Sequence, residues 1–202
     1  MTELNGNRYI VSNQTTDTFE ITDEEGNDID SSAFNTYLSG GKIRKCVTTI
    51  TGLDHLEGKA VSVLSNGSVI QNKTVSSGSI TLPYRASRVH VGLGYYSDIE
   101  TLDYSIDNDK GVTRDKAKDL KEAVILCKDT RAMWAGTKST NIVEVPFRVD
   151  EVYGDPTALF TGEKVVRLET GDTRASSLFI RNIDPLPMNI LALIARVDFG
   201  NN

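Results

Sequence analysis

Short alternations of apolar and polar residues, broken by turn residues, run along most of the chain. Within Thr49–Gly92, Val61 and Val63 alternate with other residues and are followed by Asn66-Gly67, a dipeptide typical of tight hairpin turns. Ser77-Gly78 is a second turn signal, and apolar alternation resumes after it. No part of the stretch has helical spacing over a useful length. The pattern predicts an antiparallel β-unit with one buried face.

Alternation continues at the end of this stretch and recurs near the N-terminus. Val89, Val91 and Leu93 place three apolar side chains on one face of a further strand. Near the N-terminus, Arg8–Ser12 and Thr18–Thr22 predict two short strands.

Residues 95–109 form an acidic segment with its own alternation. Leu102, Tyr104 and Ile106 are separated by polar residues, which predicts a strand or arm with one apolar face. The acidic edge suits solvent or a lumen, and it suits a contact between subunits equally well.

The segment over residues 114–128 fits both a helix and a strand. It contains good helix formers and several apolar residues with helical spacing. The consecutive apolar run 123–127 also suits a strand that is buried on both faces. We predict a strand over Glu122–Asp129, preceded by a short helix over Arg114–Lys121.

The C-terminal third returns to strand patterns separated by loops. A Pro-rich connector, Asp184-Pro185-Leu186-Pro187, fixes an extended link before the last apolar run. The predicted strands are Asn141–Val149, Glu163–Glu169, Ser177–Ile183 and Met188–Phe199. The fold class is therefore mainly β, with antiparallel sandwich or barrel units, short turns and at most one short helix.

Composition and charge argue against some classes of function. The chain has 202 residues and a formal net charge of −6, which argues against a sequence-independent nucleic-acid binder because such proteins need a basic surface. No apolar run approaches the length of a membrane span, so we expect none. Cys46 and Cys127 lie far apart in apolar contexts, and we expect both to be reduced.

The sequence offers little for catalysis. The two histidines, His55 and His90, lie in strand-rich contexts without metal-ligand spacing, and a structural role is the favoured interpretation. There is no nucleophile elbow or phosphate-binding loop, and paired carboxylates fall on predicted exposed turns. We expect no enzymatic activity, no catalytic residues, no cofactor and no metal.

Several spacings in the chain go beyond a generic strand pattern. The central ones are formed by Gly52, Leu53, His55, Leu56, Glu57, Gly58, Val61, Val63, Asn66 and Gly67. Further along, Arg131, Trp134 and Gly136 form an Arg-x-x-aromatic-x-Gly sequence after a predicted strand, and the Asp184-Pro185-Leu186-Pro187 connector precedes Ile190–Ile194. With these spacings the chain resembles the tail tubular protein B, or nozzle, family of short-tailed bacteriophages, in which the Arg-x-x-aromatic-x-Gly residues form a turn. The connector with its apolar run is the most specific C-terminal match.

The N-terminal segment contains Asn5-Gly6, Tyr9, Val11 and Gly40-Gly41. With these residues it is similar to a small β-module first named from the catalytic-cysteine half of ubiquitin-activating enzymes. The module normally begins upstream of the matching Asn5-Gly6, so the chain is expected to be the C-terminal part of a longer protein. These resemblances imply a partial module over residues 1–42 and a nozzle-type β-domain over 43–202, with an insertion at about 95–121.

The resemblance implies a structural role in the virion tail. Copies of the chain, made in the host cytoplasm, would form a ring, as a hexamer, that joins the adaptor or other tail proteins. The tube would retain the genome and then conduct it during ejection, without specific DNA binding. The candidate surface for the lumen or a subunit interface consists of Asp98, Glu100, Asp103, Asp107 and Asp109.

A second interpretation is a phage tail module that binds host-surface polysaccharide. Aromatic side chains stack on sugars, and they also pack cores and subunit interfaces. The candidate residues for either use are Tyr95, Tyr96 and Trp134. A hydrolase of cell-wall polymers is a weaker third interpretation.

Overall fold

A computed structural model describes residues 2–105, 116–148, 151, 156–168 and 176–199, together with the backbone of 107–108 and 111–112. The chain divides into two compact units, Met1–Arg44 and Lys45–Asn202. The boundary predicted from the sequence lies between residues 42 and 43.

The chain is mainly β, which confirms the expected fold class. Its one described helical segment is a 3₁₀ turn at Asp54–Leu56, and no helix in the described ranges has the length and apolarity needed to cross a membrane. The strands are β1 (Ile10–Ser12), β2 (Glu20–Thr22), β3 (Val47–Thr51), β4 (Ala60–Ser65), β5 (Ser68–Thr74), β6 (Ser79–Ala86), β7 (Val89–Gly92), β8 (Ser97–Glu100), β9 (Asp107–Asn108), β10 (Gly111–Val112), β11 (Lys118–Thr130), β12 (Trp134–Lys138), β13 (Asn141–Glu144), β14 (Phe160–Arg167), β15 (Phe179–Asn182) and β16 (Ile190–Phe199).

The N-terminal unit contains one antiparallel pair. β1 and β2 lie side by side with Ile10 opposite Thr22 and Ser12 opposite Glu20. Both strands are shorter than predicted, and Val11 and Phe19 remain exposed. A two-stranded ribbon buries little apolar surface by itself.

The first part of the larger unit is built from the sheets β3-β6 and β5-β4-β7. Both predicted turns are confirmed, because Asn66, Gly67, Ser77 and Gly78 all have positive φ, as a tight hairpin turn of the primed type requires. The core of the two sheets consists of Leu53, Val61, Val63, Ile70, Val75, Ile80, Leu82 and Ala86. The expectation for Leu93 was wrong: β7 ends at Gly92 and the side chain of Leu93 is exposed.

The second part contains the sheets β14-β11-β16 and β13-β12-β15-β8. Residues from both sheets form one core, which includes Leu120, Ala123, Ile125, Cys127, Met133, Ala135, Val145, Phe147, Val166, Leu168, Leu178 and Ile180. Phe147 and Phe160 meet edge to face within it, with ring centroids 5.8 Å apart. The long strand β11 is the centre of the three-stranded sheet.

The prediction of a helix before β11 was wrong where the structure describes it. β11 begins at Lys118, four residues before the predicted start of the strand, and pairs there with Phe199 at the end of β16. Backbone pairing of Lys118–Leu120 with β16 outweighs helix propensity, which contributes only tenths of a kcal/mol per residue. Residues 114 and 115 lie outside the described ranges.

The predicted strand through residues 102–106 was also wrong in its described part. The strand is β8, at Ser97–Glu100, and the backbone of 101–105 forms no strand. Leu102 is 90% exposed, whereas Tyr104 packs against the core. Ile106 lies outside the described residues. In the family motif, Trp134 and Gly136 were expected in a turn, but both belong to β12.

Candidate functional site

The outer face of the four-stranded sheet carries a row of polar and aromatic residues. Trp134 is paired with Glu144 on one side and with Arg181 on the other, and Arg181 is paired with Asp98. Residues directly opposite each other in an antiparallel sheet lie on one face. The order of strands therefore produces the continuous row Glu144, Trp134, Arg181 and Asp98.

Arg181 and Asp98 form a bidentate ion pair within this row. The Nε and Nη2 atoms of Arg181 each donate a hydrogen bond of 2.7 Å to one carboxylate oxygen of Asp98. The hydrogen bonds from Arg181 hold the pKa of Asp98 below its usual value, and those to Asp98 raise the pKa of Arg181. The pair fixes the guanidinium plane on the sheet surface.

Aromatic rings lie against the same guanidinium. The Cζ atom of Arg181 is 4.7 Å from the centroid of the Tyr96 ring and 5.2 Å from that of Phe179. Tyr96 is largely exposed, whereas Phe179 is buried. Such an arrangement presents one open aromatic edge and a cation to a partner or a ligand.

The predicted acidic residues separate into different environments. Glu100 accepts a 3.4 Å hydrogen bond from the Ser177 hydroxyl. Asp103 accepts hydrogen bonds from the backbone N–H of Ser176 at 2.7 Å and from the fully buried ammonium of Lys118 at 2.5 Å. Two members of the acidic set, Asp98 and Asp103, are thus paired with cations.

The remaining predicted residues are placed as follows. Tyr95 is strongly exposed, and Trp134 is half-buried in β12. The backbone of Asp107 belongs to β9, and Asp109 lies outside the described residues. Tyr96 and Asp98 therefore contact Arg181, and Trp134 lies directly opposite it in the sheet, although Arg181 was not among the residues predicted from the sequence. Its only sequence signal is its place two residues after Phe179 in an alternating strand.

On the inner face of the same sheet, a line of apolar side chains crosses all four strands and is exposed at both edges. Ala135 and Ile180 are fully buried at its centre, but Val143 on β13 is 58% exposed and Ile99 on β8 is 39% exposed. β13 and β8 are the two edges of the sheet in the described part of the chain. Each edge therefore presents an apolar side chain next to an open strand.

The outer face of the three-stranded sheet is a second exposed surface. Val124 is directly opposite both Val165 and Ile194, and the latter two are 58% and 61% exposed. We call these three residues the apolar row. One flanking row consists of Arg167, Glu122 and Arg196, and the other consists of Glu163, Leu126 and Ala192.

A cavity of about 450 Å³ lies where the β4–β5 hairpin tip approaches the second core. Arg131 and Asp184 line it from the loops that follow β11 and β15, and Arg131 Nε is buried without a hydrogen-bond partner. Burial raises the pKa of the Asp184 carboxyl, and Gln71 offsets part of the rise through a 3.4 Å hydrogen bond. The lining contains two arginines and two acidic residues, so it favours neither a cationic nor an anionic ligand.

The chemistry of the other candidate groups is limited. His55 lies in the 3₁₀ turn and His90 in β7, and both are exposed. The residues that the structure describes contain no cluster of three or more His, Cys, Asp or Glu side chains with metal-binding geometry. Cys46 and Cys127 are not joined in a disulfide.

No family model matches the chain, and no curated protein matches it.

Proposed function

We propose that the chain is a virion structural protein that forms part of a phage tail nozzle. The observation that carries this proposal is the apolar row formed by Val124, Val165 and Ile194. Exposed sheet faces of soluble monomers normally carry polar residues, and contiguous apolar patches mark surfaces that contact other proteins. A wall of repeated copies gives such a surface a function.

Charge supports the same role. A chain with net charge −6 repels phosphate, so DNA can move past many copies without being held. The ion pair between Arg181 and Asp98 joins the edge strand β8 to β15. In the proposed tube, six copies and the adjoining tail proteins enclose the genome and then conduct it outward.

Native mass spectrometry and negative-stain microscopy test the proposal. The purified chain, alone and mixed with the adaptor protein, should form closed rings. Val165→Lys and Ile194→Lys each place a charge in the apolar row, so they should weaken assembly, either of the rings or of the complex with the adaptor protein. Thr81→Lys, at an exposed position of β6, is the matched control and should leave them unchanged. The proposal is overturned if the wild-type chain stays monomeric at high concentration, both alone and with the adaptor protein.

A second candidate function is binding of host-surface polysaccharide. Tyr96 and Arg181 present an open aromatic edge beside Asp98, and Trp134 lies next in the same row. Calorimetry with envelope polysaccharide from the host tests it. Loss of a measured affinity on Tyr96→Ala and on Trp134→Ala, with Tyr84→Ala as control, supports binding. Absence of heat with the wild-type chain at two well-separated temperatures excludes it.

A further inference from the structure

We propose that strand β8 of one copy pairs with strand β13 of the next copy, head to tail, so that the four-stranded sheet continues around the ring. This inference rests on the proposed function, because it names the edges by which repeated copies join. It concerns the two sheet edges, and the apolar row of the three-stranded sheet is a separate surface.

The number of strands permits this continuation. The sheet has the order β13-β12-β15-β8 and all its neighbours are antiparallel. With an even number of alternating strands, the two edge strands run in opposite directions. A second copy added in the same orientation therefore places its β13 antiparallel to β8. The three-stranded sheet has an odd number, so the same addition there would create a parallel pair.

The backbone groups at both edges point outward at matching positions. The Thr101 N–H donates to Leu178 O on β15, and alternation along the strand then directs the N–H and C=O of Asp98 and Glu100 away from β15. On the other edge, the Val145 N–H donates to Met133 O, which directs the backbone groups of Ile142 and Glu144 away from β12. Each edge therefore offers two residues with outward donors and acceptors.

These groups define one register. Asp98 lies opposite Glu144 of the next copy, and Glu100 lies opposite Ile142, as hydrogen-bonded pairs. Ile99 then lies opposite Val143 of the next copy as a non-hydrogen-bonded pair, in which Cα atoms approach to about 4.5 Å. Both members of this pair belong to the inner face and are exposed in the single chain.

The face assignments and charges agree with this register. All four hydrogen-bonded residues belong to the outer face in their own copies, so no side chain has to change face. Glu144 of the next copy would approach Asp98, but Arg181 already neutralises that carboxylate through two hydrogen bonds. A register shifted by two residues pairs Ile99 either with Asn141, which is polar, or with Val145, whose side chain is already buried in the core of its own copy.

Disulfide cross-linking tests the register. One copy carries Ile99→Cys, a second copy of different tag length carries Val143→Cys, and both carry Cys46→Ser. Non-hydrogen-bonded antiparallel pairs have the Cα separation that a disulfide needs. On mild oxidation the mixture should yield the mixed dimer as the main product, while each variant alone yields none. Ile99→Cys mixed with Asn141→Cys is the control and should give little product.

A proline substitution that removes the outward backbone N–H of Glu100 tests the pairing of β8 with β13 without introduced cysteines. Glu100→Pro deletes this N–H but leaves the hydrogen bonds of β8 to β15 intact, and it should abolish the rings that Glu100→Ala retains. The circular dichroism spectra of both variants report that the chain is folded. If instead Glu100→Pro rings form normally, or the rings form without the mixed dimer, the edge pairing is wrong and the proposed function stands. Mixed dimers within open filaments retain the edge pairing and overturn the closed ring.

Discussion

Arg181 and Asp98 occupy directly opposed positions on β15 and β8, and two parallel N–H···O bonds of 2.7 Å join their side chains. The pair ties the edge strand β8 to the body of the sheet and orients Tyr96 over the guanidinium. A cross-strand pair of this kind connects a local sequence, residues 96–100, to a strand about eighty positions later. Its consequences can be measured on the isolated chain.

Asp98→Asn should lower the melting temperature at neutral pH, because the amide cannot accept the bidentate bonds as a carboxylate does. The pKa of Asp98 is depressed in the folded state. The stabilisation is therefore present above the unfolded aspartate pKa of about 3.9 and is lost as the pH falls through the lower folded value. Denaturation curves recorded across this pH range should show that the difference in stability between wild type and Asp98→Asn disappears in acid. Arg181→Lys should retain only part of the stabilisation that the wild-type ion pair provides. A difference in stability between wild type and Asp98→Asn that does not change with pH contradicts the assignment.

Gly67→Ala should destabilise the chain by about 1–3 kcal/mol. Gly67 has φ +89, and an added Cβ would lie 2.9 Å from Cβ of Pro156. Both the backbone strain and the collision therefore act in the same direction. Gly92→Ala is the control, because an added Cβ there meets no atom within 4 Å. Urea unfolding of the two variants measures the effect, and equal midpoints would show that the turn does not need glycine.

Ile125→Ala should cost about 2–5 kcal/mol, because it opens a cavity in the second core. Val165→Ala, on the opposite face of the same sheet, should change the free energy of unfolding of the monomer by no more than about 0.5 kcal/mol. The comparison measures burial on the two faces directly. A large loss for Val165→Ala in the monomer would mean that part of the same chain covers the apolar row.

Cys127 should react slowly with thiol reagents in the folded chain. Its side chain is fully buried, and desolvation raises the pKa of the thiol and so disfavours the reactive thiolate. In a Cys46→Ser background, reaction with a disulfide reagent at pH 8 should be at least about 100-fold slower than in denaturant. Rapid labelling under native conditions would show that β11 is not the closed centre of its sheet.

The strand alternations were readable because burial on one face imposes a period of two on the residues themselves. Val61 and Val63 follow that rule and are buried, and the hairpin turn predicted at Asn66-Gly67 was confirmed as well. The rule weakened where strands are central or where loops interrupt them. The helix predicted before β11 and the strand predicted at Leu102 were wrong for this reason.

The candidate site was only partly accessible to the same reasoning. Tyr96, Asp98 and Trp134 were selected for their side-chain chemistry, but nothing in their spacing indicated that Arg181 lies between them. That meeting depends on the sheet order β12-β15-β8, in which strands far apart along the chain become neighbours. The same order produces the two open edges with Ile99 and Val143.

The amino-acid sequence by itself determined that the chain is β-rich, where its tight turns lie and which side chains alternate into a core, because these depend on neighbours within a few residues. Tertiary structure alone decided which strands are adjacent, which edges remain open and which carboxylates meet a cation. Those features arise from pairing between distant segments, whose closure depends on the packing of the whole unit rather than on any local pattern.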